Sequence, residues 1–319
     1  MTDRDSQITA LRCMVSGAYD LQMLRMQAGL RLCANFRAKL GLIKPDPQSE
    51  AAEEEAEKII DRIRTSYRTL TEGVARNRTL PEREGFTGDE LISDYSELVL
   101  TNQFFQIERQ ERVQFQQLLL LLEGIPIYDT YLSQVYGIGP AMAGVLITYF
   151  NPHKARHISS FWKYAGLDVA GGSGRSRRKE HLVQREYTTA AGDTALRDSV
   201  TYNPFLKSKL MGVLTGGFMR KASPWRAVYD DYKNRLETDP ARERCSTNDW
   251  KKRRKAGEDV SRLWTPGRIN NAAKRYMVKM FLAEFWVRWR TLEGLPVTEP
   301  YAVAKLGHSY HASATSSAP

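Results

Sequence analysis

Residues suited to phosphate chemistry crowd into one stretch of this chain. Gly137 and Gly139 flank Ile138, and Pro140 opens an apolar run from Ala141 to Phe150 at helical spacing. A glycine hairpin lets backbone N–H groups approach a phosphate closely, because no Cβ stands in the way. The pattern G-x-G-P-x-x-A-x-x-L (Gly137, Gly139, Pro140, Ala143, Leu146) has the spacing of a helix-hairpin-helix turn, which can grip one phosphate without reading sequence. The same glycines also serve close packing between helices, and the sequence leaves both roles open. Lys154 and Arg156 follow, then Phe161, Trp162, Lys163 and Tyr164. A glycine-rich segment (Gly171, Gly172, Gly174) then carries Arg175, Arg177, Arg178 and Lys179. Read as a flexible loop, it fits a bent phosphate backbone, with arginine able to bind bidentately. Lys251, Lys252, Arg253, Arg254 and Lys255 form a secondary basic patch.

Other chemistries find little support. His153 and His157 stand four apart, yet no H-E-x-x-H motif accompanies them, so no metal site is expected. No carboxylate set announces a two-metal nuclease. No cofactor motif is present, and no cofactor is expected. Cys13, Cys33 and Cys245 lie far apart, which argues against a disulfide framework and for a reducing, cytoplasmic compartment. The longest apolar run, Leu118–Leu122, is too short to span a bilayer, so no membrane partner is expected.

The elements that must position these residues read almost entirely as helix. Residues 8–42 are amphipathic and end near Gly41; Lys44-Pro45-Asp46-Pro47 is a breaker; Ser49 reads as the cap of a second helix from Glu50. After a loop at 77–89, a long helix is predicted from Glu90 to about Glu123. Helices are further predicted over 205–219, from Pro224 and over 269–292, with residues 307–319 as a disordered tail. No strand of any length stands out. The fold class is therefore all-α, divided as 1–89, a connecting helix 90–130, and a basic domain 131–306.

Charge supports that division. Residues 1–150 hold 16 Lys+Arg and 21 Asp+Glu, a balance of −5, whereas residues 151–319 hold 31 and 16, a balance of +15. So one-sided an excess points to a polyanionic partner.

Residues 131–292 resemble the C-terminal domain of the bridge-RNA-guided insertion-sequence transposases. The likeness runs in order through "YGIGPAMAGVLITYF", "SFWKYAGL", the Ser-Gly of "GGSGRSRR", "NPFLKSKLMGVLTGGFMRKASPWRAVYDDYKNRL" and "NNAAKRYMVKMFLAEFW". The region is also similar to the Nop domain of box C/D ribonucleoproteins. Preceded by helices and with no nuclease attached, it looks most like the Tas proteins of tandem-interspaced-guide-RNA systems. The resemblance implies a homodimeric protein that binds a guide RNA and brings it to target DNA without cutting. It also implies a second reading, because those transposases place a nucleophilic serine where Ser173 stands. They need a carboxylate-bearing domain as well, and residues 1–130 lack one, which leaves Ser173 as a loop serine.

Overall fold

A computed structural model describes residues 3–42, 50–74, 78–220 and 223–298. The breaker at 44–47, Ser49 and the tail lie outside the described residues. The chain is predominantly helical and divides into two compact units between Leu121 and Leu122.

The first unit holds α1 (Asp3–Lys39), α2 (Glu50–Leu70) and most of α3 (Tyr95–Leu122). Leu32, Cys33 and Phe36 of α1, Ile59 and Ile63 of α2, and Leu98 and Phe104 of α3 share one core. Because α3 contributes to that core, it belongs with the N-terminal unit and is not a separate connector from 90 to 130. Its start also differs from the expected Glu90. Asp89 accepts the backbone N–H groups of Leu91 and Ile92 in a turn, and Asp94 then caps the helix through Ser96 and Glu97. Short polar side chains that satisfy nearby amides compete with helix in this way. Around the core, Arg64 binds Glu108 bidentately at 2.7 and 3.0 Å, and Arg37 meets Glu55 at 2.6 Å.

The second unit begins with α4 (Pro126–Thr130) and a short 3₁₀ turn, then the glycine hairpin and α5 (Pro140–Tyr149). Every residue from Met142 to Thr148 is buried, as expected of a helix apolar all round. Next come α6 (Ile158–Tyr164), the strands described below, α7 (Pro204–Ser208), a π turn over Lys209–Leu214, and α8 (Thr215–Phe218). Asn203 caps α7 by accepting the Leu206 N–H. The expected helix over 205–219 is thus nearly continuous but wider in its middle.

The unit closes with α9 (Pro224–Thr238), α10 (Thr247–Lys255) and α11 (Pro266–Leu292). Thr265 caps α11, with Pro266 at its first helical position. Ile269, Ala273, Met277, Phe281, Phe285 and Trp286 make its inner face the centre of the unit. Arg290 is buried there and donates to the carbonyls of Pro152, Ala155 and Pro296, which ties down the turn after α5.

Strands are present, contrary to expectation. β1 (Val169–Ala170) and β2 (Ser173–Gly174) make a minimal hairpin, and β3 (Val183–Thr188) pairs antiparallel with β4 (Thr194–Ser199). The β3–β4 ribbon has no buried residue, so no alternation of apolar and polar side chains marks it. In its register Val183, Arg185 and Tyr187 share one face with Ser199, Arg197 and Ala195, and Arg185 sits directly opposite Arg197.

Candidate nucleic-acid interface

The glycine hairpin has a packing role that the sequence left open. Gly137 has φ +94°, and a Cβ there would stand 2.7 Å from the carbonyl oxygen of Gly217; a Cβ on Gly217 would meet the Gly137 oxygen at 2.2 Å. The two backbones touch, which accounts for both glycines. Gly139 differs: it is exposed, its φ is −94°, and nothing lies within 4 Å of its Cβ position. As the N-cap of α5 it supplies no side-chain cap, and its carbonyl accepts the Ala143 N–H.

The basic segment is stitched into place and is not the flexible loop read from its glycines. Arg175 Nε lies 2.9 Å from both Asp168 oxygens, its Nη2 lies 2.8 Å from Oδ2, and its own N–H bonds the Asp168 carbonyl. This pair raises the Arg175 guanidinium above its ordinary value. Arg175 is therefore a structural partner of Asp168, whereas Arg177, Arg178 and Lys179 are exposed.

His181 is the second stitch, and it bears on Ser173. Only 4% exposed, it accepts the Ser176 backbone N–H at Nδ1 (3.0 Å). Nε2 must then carry the ring proton in the neutral form and donate it to the Ala170 carbonyl at 3.1 Å. Ser173 Oγ lies 3.4 Å from the same Nε2, but a nitrogen that already bears a proton cannot take one from the hydroxyl.

The remaining expected positions sort by what they touch. Trp162 donates its indole N–H to the Lys279 carbonyl at 3.2 Å, and the Lys279 ammonium lies 4.2 Å from the ring centroid. One face of that ring is thus occupied within the unit and does not offer itself to a base. Lys163 and Tyr164 are exposed, the latter with its hydroxyl 3.2 Å from Asn203 Nδ2. Lys154 and Arg156 are exposed in the turn after α5. The 251–255 run lies on α10; Arg253 is engaged by Glu243 (2.8 Å) and Glu258 (2.7 Å), and Arg254 lies over Trp250, while Lys251, Lys252 and Lys255 are exposed. His153 and His157 turn to different partners, Glu293 and Thr298. Among the described residues no group of three or more His, Cys, Asp or Glu could hold a metal ion, and no helix is long and apolar enough to cross a membrane.

The structure adds cations that the sequence reading missed. Arg268, Arg275 and Lys279 fall on one stripe of α11, because spacings of seven and four return to the same helical face. Two members of that stripe lie beside the basic segment, while Lys279 lies over Trp162 of α6. The Arg275 guanidinium lies against Gly174, whose absent Cβ would stand 2.3 Å from Cζ. Arg268 is lowered from its ordinary value by burial and then by the nearby charges of Arg178 and Arg242. Arg242 and Arg268 also stack on Trp264, at 4.3 and 4.4 Å from the ring centroid. Lys207 reaches in from α7, donating to the Arg175 carbonyl and lying 4.6 Å from the Tyr202 ring.

No protein-family profile, curated protein or solved structure matches this chain.

Proposed function

We propose that this is an RNA-binding protein that holds a guide RNA and directs it to DNA without cleaving it. The observation that carries this reading is the convergence of two basic segments, with Arg275 lying against Gly174 and Arg268 close to Arg178 on the loop that also bears Arg177 and Lys179. Like charges gathered where α11 meets that loop suit a polyanion better than a small neutral metabolite. The exposed Gly139 at the start of α5, which has no side-chain cap, offers a neutral phosphate contact. Guide and target enter through the resemblance of residues 131–292, with base pairing reading sequence and the protein reading backbone shape and charge. Met23, Met26 and Leu30 of α1 are 52, 57 and 69% exposed, an apolar face suited to a second copy in a homodimer. Three free cysteines fit a reducing cytoplasm.

RNA should co-purify with the protein, and its affinity should fall steeply with salt. Arg177→Ala and Lys179→Ala should each flatten the log–log salt slope by about 0.7–0.9 and leave stability unchanged. Absence of any bound RNA at low salt ends this reading.

The 3.4 Å contact between Ser173 and His181 favours one alternative, a recombinase-like enzyme using Ser173 with a partner's acidic residues. The histidine tautomer works against it. Equal, null yields of covalent DNA adduct from wild type and Ser173→Ala would eliminate it.

A further inference from the structure

Lys207, Arg275 and Lys279 form a cluster of three cations whose nearby carboxylate, Asp168, is shared with a fourth. They converge from α7 and α11 around Asp168, but Arg175 already engages both oxygens of that carboxylate. Among the described residues, none of the three makes an ion pair. The Nε of Arg275 is wholly buried and has no hydrogen-bond partner there. Buried N–H donors are almost always paired, and an unpaired charged one is costly. Like charges aggravate the cost: Lys207 and Lys279 are each lowered from their ordinary values by burial first and by Arg275 second.

The surroundings hold this arrangement deliberately in place. Trp162 and Tyr202 present ring faces to the Lys279 and Lys207 ammonium groups. Gly174 leaves the space that the Arg275 guanidinium fills, while nothing lies within 4 Å of the Cβ positions of Gly171 and Gly172 at the turn above. A planar guanidinium flanked by two ammonium groups presents many donors and no acceptor, which matches a phosphate group.

We propose that this cluster receives one phosphomonoester, the terminal phosphate of a nucleic-acid strand. The charge count selects the monoester. With Arg175 and Asp168 cancelling, three cations remain; a monoester brings about −1.5 to −2, whereas an internal diester brings one negative charge. Burial selects a chain end, because an internal phosphate would have to carry a nucleotide on both sides into a partly enclosed place. That the phosphate belongs to a nucleic acid rests on the function proposed above; the receptor itself does not.

Two measurements separate these claims. In the first, inorganic phosphate is added to the full chain and the melting temperature is compared with chloride at equal ionic strength. A phosphate-specific rise of several degrees is expected in wild type, reduced to near zero in Lys279→Met and in Lys207→Met. Both variants remove a partly buried charge that has no ion pair among the described residues and so should fold; Arg275→Gln is held in reserve. No phosphate-specific rise in wild type, or an undiminished rise in both variants, overturns the receptor. In the second, one oligoribonucleotide is compared with and without a terminal phosphate. Affinity about tenfold or more higher for the phosphorylated form, lost in Lys279→Met, is expected of a charge-assisted contact. Equal affinities overturn the chain-end assignment while leaving RNA binding intact. A phosphate response with no RNA binding in either form leaves the receptor standing and removes the guide-RNA reading.

Discussion

Replacing Gly137 by alanine tests whether the hairpin is first a packing device. At φ +94° an L-residue carries a backbone penalty of about 1–2 kcal/mol. The new Cβ also stands 2.7 Å from a backbone oxygen and 2.8 Å from its carbon, so the hairpin and α8 must separate. Overpacking of that kind costs about 1–3 kcal/mol, which brings the expected loss to about 2–5 kcal/mol. Gly217→Ala meets the same wall from the other side, at 2.2 Å, with helix propensity returning about 1 kcal/mol. Once either substitution has parted the backbones the second costs less, so the double variant should lose less than the sum. Gly139→Ala is the internal control, with ordinary φ and open space; only its capping preference changes, below about 1 kcal/mol. Urea unfolding followed by tryptophan fluorescence reads the right unit, since all six tryptophans lie beyond Leu122. Equal losses for Gly137→Ala and Gly139→Ala, both under about 1 kcal/mol, would refute the reasoning.

Three further outcomes follow from the cation cluster. Lys207, beside the Tyr202 ring, is lowered from 10.5 to about 8 by burial first and by its neighbour Arg275, with Asp168 opposing the shift and Arg175 adding to it. The unfolded chain therefore binds more protons between pH 8 and the ordinary lysine range, so ligand-free stability should rise with pH across that window. Allowing for solvent screening of a half-exposed group, the gain is about 1–2 kcal/mol by urea titration, and a fall in stability there would contradict the assignment. The phosphate response should run the opposite way and fade as pH climbs past 8, because the ammonium that holds the anion is being discharged. Asp168→Asn should destabilise the second unit by about 1–3 kcal/mol, since it leaves Arg175 unpaired beside three other cations; unchanged stability would mean the pair does not hold the loop.

What the sequence disclosed and what it concealed divide along physical lines. The apolar run after Pro140 read as a helix and forms a buried one, and the starts expected beside Pro204 and at Pro224 are helix boundaries, whereas the last helix begins at Pro266, three residues ahead of the expected 269. The β3–β4 ribbon left no such trace, because none of its residues is buried and its sequence answers to no buried face. Its one local signal was the turn around Gly192, where φ is +91° and the Thr189 N–H closes on the Asp193 carbonyl. Basic residues were legible as residues but not as a site. Arg175 and Arg253 are taken up by carboxylates, while Arg275 and Lys279 passed as the polar side of a core helix. The spacing 268, 275, 279 was visible in principle; that it faces Gly174 is a tertiary fact.

The ribbon has one more consequence, for how this chain can be altered. Val183 and Ser199 stand opposite each other, so the sequence leaves the domain and returns to it at a single point. Nothing between them contributes to the core. A segment that departs and comes back through one doorway, without bearing weight inside, is a natural place for the gene to be lengthened, trimmed or exchanged. Tags, fluorophores or foreign modules placed at the Ala190–Ala191 tip would leave the buried residues of the helical body untouched.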